Sequence, residues 1–151
     1  MPKFKVFCWL LINDRLNTKE MMLRKHWHIE DGPNCVLCQQ SVIEDVDHLF
    51  FSCEFAKNCW DTIGVSWDMN KSRRDRLQKA MANASHPNFQ EFFASAAWNI
   101  WKEQNDYIFN GVEPSLASWK RRTKQDLFIH QFRVKPAGVQ HLLDRITLVF
   151  P

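Results

Sequence analysis

Residues 33–53 run Pro33-Asn34-Cys35-Val36-Leu37-Cys38-Gln39-Gln40-Ser41-Val42-Ile43-Glu44-Asp45-Val46-Asp47-His48-Leu49-Phe50-Phe51-Ser52-Cys53. Reduced to its donors, the stretch is C-x2-C-x9-H-x4-C. Three thiolates and one imidazole make a full tetrahedral set for Zn2+, and two cysteines separated by two residues can grip one ion from a single turn. Cys35, Cys38, His48 and Cys53 are therefore the expected ligands of one structural Zn2+. Four protein ligands leave no position for water, so the metal is expected to scaffold and not to catalyse. Cys59, six residues beyond Cys53, reads as a core thiol beside Trp60, and Cys8 falls on an apolar helix face. His26 and His28 have no partner cluster and read as surface or capping residues; His86, His130 and His141 receive no role.

Away from this centre the chain reads as helix. Phe4, Phe7, Cys8 and Leu11 recur at helical spacing and predict a helix over 4–13. Thr18 is the expected N-cap of a second over 18–27, packed on the first as a hairpin. Asp31-Gly32-Pro33 breaks that pattern, and 33–44 suits a small hairpin or knuckle. Further helices are expected over 54–63, ending at Gly64, and over 70–84. The longest periodic signal, from Phe89 to Ile108, predicts a helix over 88–109, with Asn88 and Glu91 as a capping box and Asn110-Gly111 as its stop. The last two helices are expected over 116–130 and 137–147. The fold class is mainly α, a helical domain with a small CCHC zinc knuckle, divided into a hairpin-plus-knuckle unit at 1–66 and a helical region at 67–151.

Composition limits the function. With 45% hydrophobic and 25% charged residues the chain is an ordinary globular one, and only four glycines leave little for phosphate-cradling loops. There is no Gly-x-Ser-x-Gly elbow and no carboxylate cluster beside an open metal position, so no enzyme, no catalytic residue and no small-molecule substrate is expected. The apolar run Val6–Ile12 is too short for a signal peptide's core and no small-residue cleavage site follows it. The expected location is therefore intracellular, nuclear or cytoplasmic, with no membrane association.

The net charge of +3 hides a partition: residues 30–61 hold seven acids and one base, net −6, leaving +9 for the rest. Metal loading with three thiolates takes the knuckle to −7, which repels a polyanion. Phosphate contacts are therefore expected from basic helices, namely Arg73, Arg74, Arg76 and Lys79, and Lys120, Arg121, Arg122 and Lys124. Arg15, Lys19, Arg24 and Lys25 offer a third group. Trp9, Trp27, Trp67, Trp98 and Trp119 are either stacking platforms or core.

In order and spacing, Phe4–Thr18, Cys35-x-x-Cys38, Asp47-His48-Leu49-Phe50-Phe51-x-Cys53 and Trp60 resemble the zinc-binding domain that follows the polymerase in plant LINE-type (non-LTR) retroelement reverse transcriptases. Trp98–Asn105 and Ile108–Gly111 look like the helical segment after it. The resemblance implies that Cys35, Cys38, His48 and Cys53 are metal ligands, that Phe7, Trp9, Leu11 and Trp60 are apolar framework, and that the role is to help hold RNA or target DNA. Gln104 stands where the family commonly has Arg, removing one cation. No polymerase palm motif, endonuclease or RNase H is present, so none of their chemistry carries over. The expected function is thus accessory RNA or DNA binding. The alternative is a zinc-stabilised protein-interaction module, with a protein partner, or a retroelement-derived relic that does not bind nucleic acid.

Overall fold

The computed structural model describes residues 2–151. Seven helices follow in order: α1 (Pro2–Ile12), α2 (Lys19–Arg24), α3 (Glu54–Thr62), α4 (Arg73–Asn83), α5 (Phe89–Asn110), α6 (Leu116–His130) and α7 (Pro136–Val149), with a π-helical turn at His48–Ser52 before α3. The described residues contain no strand longer than a single bridge, between Asn34 and Ile43.

Local chemistry sets most helix ends. Thr18, Ser72 and Ser115 each accept a hydrogen bond from the backbone N–H three residues on, at the starts of α2, α4 and α6. Gly64 and Gly111 adopt left-handed backbone at the ends of α3 and α5, which lets Val65 N–H donate to Trp60 O and Val112 N–H to Asp106 O. Two expectations need correction. The capping box of α5 does not form: the Asn88 side chain makes no cap bond and is itself buried. And α2 stops at Arg24, because His26 enters the left-handed region and Trp27 N–H turns back to Met22 O.

The core is built around α5, which packs against α1, α3, α6 and the π turn. The hairpin expected of the first two helices is not the main pairing of α1, which lies on α5. Phe7 stacks on Trp101 and meets Phe50 and Trp98 edge-on. Trp60 stacks on Phe93 at 5.6 Å, and its indole N–H donates to Phe50 O at 2.6 Å, so its polar edge is satisfied inside the core. Trp119 is buried in the same way, donating to Ala96 O. One continuous buried cluster runs from Phe7 through Phe50, Trp60 and Ile100 to Phe150.

Candidate metal centre

Two local structures deliver the four ligands. A short hairpin carries the cysteine pair: Cys35 N–H donates to Val42 O and Glu44 N–H to Pro33 O, with Ser41 in left-handed backbone at the turn. The π turn then carries His48, and Cys53 sits where that turn hands over to α3. The ligand atoms of Cys35, Cys38, His48 and Cys53 all lie within 4.8 Å of one another. Cys35 Sγ is 3.9 Å from Cys53 Sγ, and Cys38 Sγ is 3.3 Å from His48 Nε2. Sulfurs about 2.3 Å from a tetrahedral Zn2+ stand roughly 3.8 Å apart, so the donor set fits zinc in kind and spacing. Cys59 lies outside the cluster, fully buried, its thiol pushed up by desolvation; Cys8 is raised to about 11 by burial.

Backbone N–H groups face all three ligand sulfurs. Leu37 N–H donates to Cys35, Gln40 N–H to Cys38, and Phe55 and Ala56 N–H, at the start of α3, to Cys53. Of the four ligands Cys53 is the thiol poised to ionise: the hydrogen bond from Cys35 brings it down to about 6, helped by the α3 N–H groups and by His48, against the cost of burial. Cys35 is held up by that same hydrogen bond and by desolvation, and Cys38 by desolvation. On His48, Nε2 faces Cys38, while Nδ1 lies 3.4 Å from Ser52 Oγ, whose hydroxyl reaches Asp47 O. A proton on Nδ1 directed at Ser52 leaves Nε2 free for metal. Asp45 Oδ1 accepts from His48 N–H at 2.7 Å and fixes the start of the turn.

Around this sits a layer the spacing did not reveal. Glu44 is fully buried; its Oε1 accepts from Lys19 N–H at 3.1 Å and from Gln104 Nε2 at 2.8 Å. Desolvation raises the Glu44 carboxyl to about 7. Lys19, also buried, donates from Nζ to Asn34 O beside Cys35. Gln104 thus ties α5 to the knuckle from inside the core, and its lack of charge removes nothing from a phosphate-facing surface. On the other side, Asp47 Oδ1 takes Arg73 Nε and Arg76 NH1, both at 2.9 Å. Burial works against ionisation of Asp47, but the two guanidinium bonds outweigh it and hold the carboxyl below its usual range. With Glu44 inside and Asp47 paired, the surface of the knuckle is less acidic than its charge sum.

Of the cations expected to meet phosphate, Arg73 and Arg76 are engaged by Asp47, with Arg73 also near Asp14. Lys79 pairs with Asp68, and Arg122 with Asp106 and Glu103. Arg24 pairs with Glu20 and Asp14, and Lys19 is buried. Among the described residues, Arg74, Lys120, Arg121 and Lys124 stand outside every ion pair. Of the tryptophans, Trp119 is core, Trp67 and Trp98 are half-buried, and Trp9 and Trp27 are about half exposed beneath Arg15 and Lys25.

A closed Cys3His set on a helical scaffold, with backbone N–H groups donating to its sulfurs, defines a protein with one structural Zn2+. Residues 1–60 match the family described as zinc-binding in reverse transcriptase, a span that contains all four ligands and ends on Trp60. No curated protein and no solved structure matches the chain. No helix among the described residues is long and apolar enough to cross a membrane.

Proposed function

We propose that the protein is a non-catalytic nucleic-acid-binding accessory derived from a plant LINE-type retroelement, acting inside the cell in the nucleus or cytoplasm. In this reading residues 1–66 form the zinc-held scaffold and residues 67–151 carry the contacts. One observation carries it: on α6, Lys120, Arg121 and Lys124 stand outside every ion pair among the described residues, and Phe128 on the same helix and Phe132 just beyond it are exposed. Residues 121, 124 and 128 follow helical spacing, so cations for phosphates and an aromatic for bases lie along one stripe.

The test is a salt titration of binding by the zinc-loaded protein to single-stranded and duplex RNA and DNA. Lys120→Gln/Arg121→Gln/Lys124→Gln should weaken binding across sequences and flatten the slope of log K against log salt by about 0.7–0.9 for each phosphate no longer neutralised. Absence of salt-dependent binding to all four probes overturns the reading.

A second reading, a zinc-stabilised protein-interaction module, is favoured by a groove of about 650 Å3 between α1 and α4, lined by Phe4, Trp9, Met81 and Phe89. Trp9 and Met81 are exposed there. This reading calls for binding that is lost on Trp9→Ser and has little salt dependence.

A further inference from the structure

Away from the metal, a polar cavity of about 310 Å3 lies between the α3–α4 loop, α4, the α4–α5 loop and α7. Trp67, Arg76, Lys79, Asn83, His86 and Arg145 line it. Four of them carry a buried nitrogen with no partner among the described residues: Trp67 Nε1, Arg76 Nε, His86 Nδ1 and Arg145 Nε. Trp60 and Trp119 give their indole N–H to a backbone carbonyl, whereas the indole N–H of Trp67, like that of Trp101, is buried without an acceptor among the described residues.

Arg76 is 95% buried, held by Asp47 through NH1 and by the Phe51 ring beneath its guanidinium, so its Nε has little freedom to seek an acceptor elsewhere. Of the three cations that line the cavity, Arg76 is paired with Asp47 and Lys79 with Asp68, whose carboxylate also accepts from Asn70 N–H, which leaves the charge of Arg145. Arg145 enters no ion pair among the described residues.

Donors in excess, net positive charge and a partly desolvated cavity call for an anion. Trp67, Arg76, His86 and Arg145 come from four separate segments of chain, so the lining can surround a tetrahedral oxyanion. The volume lies at the small end of ligand pockets, enough for an oxyanion with one substituent. We infer that this cavity binds a phosphate group, either free phosphate or the terminal phosphate of a nucleic-acid strand. The inference does not depend on the α6 stripe; if the phosphate belongs to a strand, it adds an end-recognition site to that reading.

The experiment follows the indole N–H signals of 15N-labelled, zinc-loaded protein during titration with inorganic phosphate at constant ionic strength, with Trp67→Phe assigning the relevant signal. A saturable shift of the Trp67 indole is expected, absent with chloride alone. Arg145→Gln should weaken the phosphate response at least tenfold with the circular dichroism spectrum unchanged. Should that variant fail to fold, Asn83→Asp, which adds a negative charge at the lining, is read in its place with the same expectation. No saturable shift, the same shift with chloride, or an undiminished response in these variants overturns the site.

A 5′-phosphorylated oligonucleotide binding at least tenfold tighter than its 5′-hydroxyl twin assigns the strand end; equal binding of the two, with the phosphate response intact, assigns free phosphate. Lys120→Gln/Arg121→Gln/Lys124→Gln should leave the phosphate response in place, so failure of the stripe and failure of the cavity are read separately.

Discussion

At the scale of single residues the metal ligands are legible because their relation is fixed by short spacing along the chain, and the residues that support them are not. Cys35→Ser should abolish stoichiometric zinc while Cys59→Ser retains it, as measured by metal analysis of the purified variants. Ser52→Ala removes the acceptor that orients His48 and should lower zinc affinity about 10–100-fold in a competition titration with a chromogenic chelator. A serine four residues after a histidine is too common a pattern to flag this role. Glu44 and Gln104 lie 60 residues apart, and no local pattern marks them as partners. Glu44 also gives a pH dependence. Its carboxyl sits at about 7 in the fold against a usual 4.5, so the folded state holds the proton more tightly. The associated stability is full below about pH 4.5 and is lost as pH rises to about 7, to the extent of about 3 kcal/mol. Between pH 5 and 8 the wild type should lose stability relative to Glu44→Gln by an amount of that order. Urea unfolding of both zinc-loaded proteins checks it, since ligand protonation is common to the two and cancels in the difference.

Among the elements, α5 is readable to within a residue at each end because its apolar period is long and Asn110-Gly111 supplies a sharp stop. The knuckle is readable from its turn formers. The π turn is not, since nothing in His48–Ser52 separates a wide turn from an ordinary helical one. On α4, Arg73 and Arg76 reach across to Asp47, the residue before a metal ligand. Opposite charges far apart in sequence give no sign that they will meet. Arg76→Gln leaves Asp47 with one partner, and because Asp47 is two-fifths exposed the loss should be moderate, about 2 kcal/mol of unfolding free energy in urea titrations. If stability is unchanged, α4 is not a brace for the knuckle.

For the molecule as a whole, structural zinc in small sites is worth on the order of 10–16 kcal/mol, as much as or more than the whole stability of an ordinary domain. Chelation should therefore unfold residues 30–64 at least. Because Phe50 and Trp60 pack directly on Phe7 and Phe93, protection of α1 and the first half of α5 should fall with it in hydrogen-exchange measurements, while α6 and the second half of α5 persist longer. Unchanged exchange in the first half of α5 after complete zinc removal would show that the two parts of the core open independently.

The stacking of Trp60 on Phe93 bears on how such a unit could be inherited. Similarity to a known family stops at residue 60, but the ring at that position finds its partner 33 residues later, and the buried carboxylate of Glu44 finds its amide later still. A recombination event that copied only the recognisable segment would carry every metal ligand into its new host and still arrive as an incomplete object. Its largest aromatic face would lie open to water, and a buried acid would be without its second donor. What evolution can shuffle here is a longer piece than what sequence comparison can see.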